Sequence, residues 1–202
     1  MKTEQRRRRS PEEAKAEILN AAYEFLAETD HQDLTVDIVM QRTGMTRSSF
    51  YHYFSGINEV VVSMLDRFEE DVLGSVEVWL SGDMQGQDHL EATGAAFQRM
   101  FSVMHDHRQS LRAVSQVTRG DSPAYKQWQT HIIESFADLT EVFIKKQVRH
   151  GRSKVAAPAG VARALILMNN AVFTDNLARD KPKKPAQLAH SVAAIWNATI
   201  FS

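Results

Sequence analysis

The chain contains no cysteine, and its 202 residues include only nine glycines and five prolines. Without cysteine it can form neither a disulfide framework nor a thiolate metal site. Long stretches lack both glycine and proline, which favours long helices over an all-β chain with its frequent turns. The sequence therefore predicts an all-α protein.

Long hydrophobic runs are also missing. None approaches the roughly 20 residues that a helix needs to span a bilayer, and no apolar segment follows the charged N-terminus as it would in a signal peptide. We therefore expect a soluble, cytoplasmic protein with no membrane partner. Lysine and arginine number 24 against 25 aspartates and glutamates, so any contact with nucleic acid must be local.

One strong positive cluster stands at the N-terminus, formed by Arg6, Arg7, Arg8 and Arg9. It lies outside any apolar periodicity, which predicts a flexible arm over residues 1–9. The arm can supply phosphate contacts, and a solvated tail or a targeting signal explains the same cluster. The Ser10-Pro11-Glu12-Glu13 segment then has the capping serine, early proline and returning glutamate of a helix start.

The next segment has the pattern of a helix-turn-helix. Apolar residues from Ala14 to Leu26 recur at helical spacing. Thr35 is placed to cap a short helix over residues 36–42, and Gly44 supplies the backbone freedom of a tight turn. Thr46 is placed to cap a third, aromatic helix. A longer helix followed by two short ones around a glycine turn is helix-turn-helix geometry, although other small three-helix modules share it.

The rest of the chain predicts further helices, about nine in all. They cover residues 60–80, 89–105, a long segment beginning at Pro123, 159–179 and a last segment ending at Ile200. The helix over residues 159–179 is apolar nearly all round, more than one small subunit can cover. We therefore expect the two C-terminal helices to meet their copies in a homodimer, with Val192 and Ile200 facing the partner.

The stretch from Thr35 to Phe54 resembles the DNA-binding signature of the TetR family of transcriptional regulators. The matching residues are Thr35, Val39, Gly44, Met45, Thr46 and the run Phe50-Tyr51-His52-Tyr53-Phe54. The resemblance extends along the whole chain, which is similar to the subgroup of the mycobacterial ethionamide-activation repressor. The residues on which this subgroup resemblance rests are Thr46-Arg47, Leu167-Met168-Asn169 and Ile195-Trp196.

This resemblance implies a regulator, expected to be a repressor and not an enzyme. It would bind palindromic double-stranded operator DNA as a homodimer and be released by a small hydrophobic effector, with no cofactor. A three-helix DNA-binding head over residues 10–56 would precede a larger effector-binding and dimerisation domain over residues 57–202.

The predicted DNA contacts combine the arm with the third helix, because the N-terminal residues of such a helix reach base edges. Arg47 suits either a bidentate contact with guanine or a phosphate contact. By resemblance, Tyr51 and Tyr53 would reach the backbone, although both tyrosines can instead merely pack. The full predicted set is Arg6, Arg7, Arg8, Arg9, Thr35, Thr46, Arg47, Ser48, Ser49, Tyr51, His52 and Tyr53.

The chain departs from the family pattern at the DNA end. Met40 and Thr43 replace small alanines, and Ile57 stands where the family has a lysine that contacts phosphate. The contact that this lysine makes with the DNA backbone is thus missing from the expected set, and the arginine arm is placed to supply a phosphate contact in its stead.

The predicted effector residues are apolar side chains that the family fold would bring together from separate helices. A filled core explains the same pattern. Asn169 is the predicted polar contact, because an amide in an apolar helix needs a partner. Ile166 and Ser135 differ from the related subgroup, so a different effector is expected. The full set is Phe97, Met100, Phe101, Met104, Trp128, Ile132, Phe136, Met168, Asn169, Phe173 and Trp196.

The alternative function is an all-helical ligand-binding protein or metal-carboxylate enzyme with no role in DNA binding. Such an enzyme needs two Glu-x-x-His pairs, and only Glu28-Thr29-Asp30-His31 fits. His105 and His107 point apart on a helix. No phosphate-binding loop, dinucleotide fingerprint or nucleophile elbow is present, so no metal or catalytic residue is predicted.

Overall fold

The computed structural model describes residues 9–28, 34–82, 88–117 and 123–201. These residues form nine helices and no strand, which confirms the predicted all-α class. No helix among them is both long and apolar enough to cross a membrane. The helices are α1 (Pro11–Glu28), α2 (Val36–Thr43), α3 (Arg47–Tyr53), α4 (Ile57–Leu80), α5 (His89–Asp106), α6 (Arg108–Val117), α7 (Pro123–Arg149), α8 (Pro158–Ala178) and α9 (Pro185–Ile200).

The predicted start of α1 is confirmed in atomic detail. The backbone N–H of Ser10 donates to Glu13 Oε2 at 2.8 Å, and the N–H of Glu13 donates to Ser10 Oγ at 3.1 Å. Each residue therefore satisfies one N–H that the first helical turn leaves without a backbone partner. This reciprocal pair fixes the point at which the N-terminal arm gives way to the helix.

Helix α6 was not assigned individually from the sequence. Only His107 separates it from α5, and neither glycine nor proline marks the junction. Helix α4 also begins earlier than residue 60, because Glu59 accepts the backbone N–H of Ser55 at 2.7 Å and stabilises the first turn. The remaining predicted boundaries agree with the structure or differ by one residue, as in α8, which ends at Ala178.

The described residues form two compact units. The first contains α1, α2, α3, α4 as far as Leu65, and α6 from Gln109. Its core is built from fully buried apolar side chains, and the Tyr23 hydroxyl donates to the Met64 carbonyl at 3.0 Å. The main core residues are Ile18, Leu26, Val39, Phe50, Met64, Leu65 and Val114. The functional border at residue 56 stays a prediction, because it concerns the roles of the segments.

The second unit contains α4 from Asp66, with α5, α7, α8 and α9. Helix α9 packs along α5, and α8 packs along α7. Trp79, Phe97 and Trp196 form an aromatic cluster, with the Phe97 and Trp196 ring centroids 4.9 Å apart. Phe143 joins it at 4.3 Å from Trp79. Large aromatic rings from four helices thus fill the interior of this unit.

The prediction that Val192 and Ile200 face a partner subunit is wrong. Their exposed fractions within the single chain are 2% and 0%. Both belong to the face of α9 that also buries Leu188 and Trp196, and this face is covered within the same chain. The apolar side chains that α9 leaves exposed lie on its opposite side, as Ile195 does at 48% exposed.

Candidate functional site: a helix-turn-helix and an apolar helical unit

The turn between α2 and α3 has the predicted geometry. Thr35 Oγ1 accepts the N–H of Ile38 at 3.3 Å and caps α2. Gly44 then ends α2 with a φ of 65°, a left-handed conformation that glycine adopts without steric cost. Thr46 Oγ1 accepts the N–H of Ser49 at 3.2 Å and caps α3. Local hydrogen bonds therefore set the start of both helices.

Helix α3 presents its first turn to solvent and anchors its centre in the core. Phe50 is 0% exposed, and its ring centroid lies 5.9 Å from that of Phe54. Tyr51 is 54% exposed, although its ring meets the edge of Phe50 at 5.4 Å. Among the predicted DNA contacts of the helix-turn-helix, Ser49 and Tyr53 are half-buried, and the exposed ones are Thr35, Thr46, Arg47, Ser48, Tyr51 and His52.

Both arginines of the helix-turn-helix, Arg42 and Arg47, are paired with carboxylates. Arg47 Nε lies 3.1 Å from Asp37 Oδ1, which joins the start of α3 to the first turn of α2. Arg42 Nη2 donates to Glu28 Oε2 at 2.6 Å, and its guanidinium lies 5.2 Å from the Phe25 ring centroid. Arg42 is thus bound to α1, whereas Arg47 stays largely exposed at the tip of α3.

Arg9 ends the basic arm next to the helix-turn-helix. Its Nε lies 2.6 Å from Glu17 Oε2, and its Nη2 donates to the Thr43 carbonyl at 3.4 Å. The guanidinium therefore lies beside the last residue of α2. Arg6, Arg7 and Arg8 lie outside the described residues.

The first turn of α4, which lacks the family's lysine at Ile57, carries a carboxylate instead. Glu59 Oε2 accepts both the backbone N–H and the hydroxyl of Ser55, each at 2.7 Å. The backbone hydrogen bond lowers the pKa of Glu59 most, followed by the hydroxyl, and nearby Lys15 lowers it further. This negative charge makes the start of α4 a poorer phosphate site than a lysine would.

The predicted effector residues divide into two groups by burial. Phe97, Met100, Phe101, Asn169 and Trp196 are buried. The other six are half-buried: Met104, Trp128, Ile132, Phe136, Met168 and Phe173. The buried group forms part of the packed interior, so the half-buried group is better placed to line an apolar site.

Asn169 has a protein partner. Its Oδ1 accepts the indole N–H of Trp196 at 3.0 Å, across the buried space between α8 and α9. The expectation that this amide must find a partner is therefore met, and one of its two polar atoms is engaged without any ligand. Whether it also contacts an effector stays a prediction.

A second aromatic cluster, separate from the one around Trp79, joins α4, α7 and α8. The Phe68 ring centroid lies 6.1 Å from that of Trp128 and 6.3 Å, in a stacked arrangement, from that of Phe173. Tyr125 lies 5.8 Å from Trp128, and burial raises the pKa of its phenol. Phe68 and Tyr125 were not among the predicted effector residues. Helical periodicity within one segment does not predict which side chains of another helix it contacts, so the contact of Phe68 with Trp128 could not be predicted.

A groove of 960 Å³ between α4 and α5 was also not predicted. His107 Nε2 lies 2.9 Å from Asp71 Oδ2 in this groove, and Arg99 Nε donates to the Ser75 carbonyl at 3.3 Å. Its remaining lining residues are mainly polar or small: Glu70, Gly74, Ala95, Gln98, Ser102, Val103 and Asp106.

The residues considered for metal binding are not gathered into a site. Within the described ranges, no group of three or more histidines, aspartates or glutamates could hold a metal ion. His107 is buried against Phe68 and bound to Asp71. His31, which the Glu-x-x-His pattern requires, lies outside the described residues.

A helix-turn-helix whose second helix exposes its first turn, followed by a larger helical unit with an apolar interior, is the architecture of a helix-turn-helix transcriptional regulator. Residues 18–64 match the family model of bacterial regulatory proteins of the tetR family. Residues 94–202, more than half of the chain, match the C-terminal domain of the transcriptional regulator EthR. The chain belongs to the TetR family of transcriptional regulators and carries an EthR-type C-terminal domain.

Individual relatives agree with this membership. The HTH-type transcriptional regulator EthR of Mycolicibacterium smegmatis is 24% identical over 200 residues, covering 96% of this chain and 89% of that protein. A transcriptional regulator from Cytophaga hutchinsonii has the same fold, with a TM-score of 0.72 at 15% identity and coverage of 92% and 97%. The SmeT–triclosan complex matches with a TM-score of 0.64 at 16% identity, covering 92% and 90%.

Proposed function

We propose that this regulator is a cytoplasmic repressor without enzymatic activity, which binds a palindromic operator as a homodimer and leaves it when a small apolar effector binds. The observation that carries the proposal is helix α3. Its first turn, with Arg47 and Ser48, is exposed while Phe50 fixes the helix in the core. An exposed first turn on a rigidly anchored helix is what reading of a major groove requires.

Phosphate contacts are proposed for the capping hydroxyls and the arm. Thr35 and Thr46 lie at helix N-termini, where free N–H groups and the helix dipole favour an anion. Few cations are available in the described part of the helix-turn-helix, and Arg42 is bound to Glu28. The arginine arm therefore supplies the main electrostatic attraction in this proposal.

The dimer is proposed to form through the outer faces of α8 and α9. Leu167 is 43% exposed and Ile195 is 48% exposed. Small residues lie next to Leu167 and Ile195 on the same outer faces. They would allow the α8 and α9 helices of a second subunit to approach closely. Those on α8 are Gly160, Ala164 and Ala171, and those on α9 are Ala194 and Ala198. Burial of these faces in a four-helix contact would remove the exposed apolar surface from water.

The effector is proposed to enter the apolar part of the second unit. The half-buried set around Trp128, Phe136 and Phe173 offers apolar surface that the chain itself does not fully cover. SmeT, which shares the fold, was solved with triclosan. A ligand that binds better to one separation of the two DNA-binding heads would shift the dimer away from the spacing of the operator half-sites.

A mobility-shift assay tests this function. The probe is the DNA upstream of the chain's own gene and its chromosomal neighbour, with shuffled DNA of equal composition as competitor. We expect a retarded complex that resists the shuffled competitor, and weaker specific retardation with Arg47→Ala. Equal competition by shuffled and specific DNA would contradict the proposal and favour a helical ligand-binding protein without a DNA role.

A further inference from the structure

The three tryptophans differ in how their indole N–H groups are satisfied. Trp79 Nε1–H donates to Thr93 Oγ1 at 3.2 Å, and Trp196 Nε1–H donates to Asn169 Oδ1 at 3.0 Å. Trp128 Nε1 is equally shielded from solvent, yet it has no hydrogen-bond acceptor within the described part of the chain. Trp128 therefore carries a buried donor that none of the described residues pairs.

The surroundings of this donor are aromatic. Phe68 and Tyr125 lie 6.1 and 5.8 Å from Trp128 by ring centroid, and Phe173 stacks on Phe68 at 6.3 Å. The Trp128 residue as a whole is half-buried. The N–H group is thus enclosed at the margin of the packed core, beside half-buried side chains that the proposed function already assigns to the effector.

Buried polar groups in folded proteins nearly always have a partner, and an unpaired donor is costly. We infer that the effector carries a hydrogen-bond acceptor that receives the Trp128 indole N–H, while its apolar body packs against half-buried side chains such as Phe173. An indole N–H only donates, so the matching group on the ligand must accept. This inference rests on the proposed function, because it concerns the same effector site.

The acceptor is a neutral oxygen, as in a ketone, ester, amide or ether. The ring contacts of Trp128 are with Phe68 and Tyr125, neither of which brings a positive charge to balance a carboxylate. An ionised acid would lose its hydration in this environment without compensation. Asn169 is the less suitable anchor, because its Oδ1 already binds Trp196.

The experiment compares hexanophenone with hexylbenzene, which has the same carbon skeleton without the oxygen. Affinities are measured by titration calorimetry on the dimer without DNA, so that failure to bind an operator does not affect the result. In parallel, the indole ¹⁵N–¹H resonances are recorded and assigned with single Trp→Phe variants. We expect hexanophenone to bind about tenfold more tightly, the effect of one hydrogen bond to a buried donor, and to move the Trp128 resonance downfield.

The Trp128→Phe variant should bind both compounds equally, since it keeps an aromatic ring and removes only the donor. Trp79→Phe is the matched control and should retain the tenfold preference, because its N–H is already bound to Thr93. If Trp128→Phe fails to fold, the resonance shift in the unmodified protein decides alone. Equal affinities in the unmodified protein, no binding of the ketone up to its solubility limit, or an unmoved Trp128 resonance would each overturn the inference.

Discussion

The Nε atom of Arg47 lies 3.1 Å from Oδ1 of Asp37, so the tip of the recognition helix is tied to the first turn of α2. Both side chains are about two-thirds exposed, at 63% and 67%. Such an exposed ion pair contributes only about 0–1 kcal/mol to stability. Its importance lies in placing a negative charge beside the side chain that is expected to meet DNA.

Replacing Asp37 with asparagine should therefore strengthen DNA binding. Removing the carboxylate frees Arg47 and reduces repulsion of phosphate, and we expect about a threefold gain in affinity for specific and non-specific DNA at low salt. Fluorescence anisotropy with labelled duplexes measures both affinities. Asp138→Asn makes the same charge change on α7 and should leave the affinity unaltered. A loss of affinity in Asp37→Asn would show that the carboxylate positions Arg47 for binding.

Arg47 itself is expected to read sequence. Arg47→Ala should relax the preference at one operator position at a cost of about 1–3 kcal/mol there, since alanine cannot make the bidentate hydrogen bonds with guanine. Arg47→Lys keeps the charge but loses the planar fork of the guanidinium, so it should retain only part of the preference in a base-substitution series. A uniform fall in affinity across all operator variants would assign Arg47 to phosphate.

The arm is expected to contribute non-specific attraction. Changing all four residues Arg6–Arg9 to glutamine should weaken binding to every sequence alike. It should also flatten the dependence of log K on log salt by about 0.9 for each phosphate that the arm no longer neutralises. Anisotropy titrations between low and physiological salt give this slope. Deletion of residues 1–9 should weaken binding as much as the glutamine variant does, because the arm contributes to affinity through its positive charge and not through its length. An unchanged slope would remove the arm from the DNA interface.

Charge on the outer face of α8 or α9 should break the dimer. Leu167→Glu or Ile195→Glu would place an unpaired carboxylate in the proposed interface, at a cost of several kcal/mol. Sedimentation should then show a folded monomer that no longer binds the operator tightly, because one head offers half of the DNA-binding surface.

Val142 provides the control for this prediction. It is 62% exposed on α7, so Val142→Glu should leave the dimer intact. Val192→Glu should instead destabilise the fold, because that side chain is buried within its own chain. A monomer from Val142→Glu together with a dimer from Leu167→Glu would move the interface to α7.

Acid should destabilise the first unit partly through Glu59. Its folded pKa lies below the ordinary value of 4.5, so the ionised form is favoured by folding. The associated stability is present above the unfolded pKa and is lost as the pH falls through the folded pKa. Thermal melts between pH 7 and pH 3 should show a smaller acid-induced decrease in Tm for Glu59→Gln. Equal pH dependence in both proteins would exclude Glu59 as a contributor.

Much of the head could be predicted from the sequence, because its signals are local. The capping bonds of Ser10, Thr35 and Thr46 join residues three positions apart, and Gly44 acts through its own φ angle. The junction between α5 and α6 could not be found in this way. It is set by His107, whose ring is buried against Phe68 and bound to Asp71, 36 positions earlier.

The all-α class, the helix-turn-helix and its caps follow from the amino-acid sequence alone, since helical periodicity and capping depend on neighbours within one or two turns. Which apolar face of α9 is buried within the chain depends on how the helices pack, because both faces carry apolar residues at helical spacing. The same packing also decides that Trp196 satisfies Asn169 while Trp128 Nε1 is left without a described acceptor. Hydrogen bonds between distant helices depend on how those helices pack, and no local pattern records that packing.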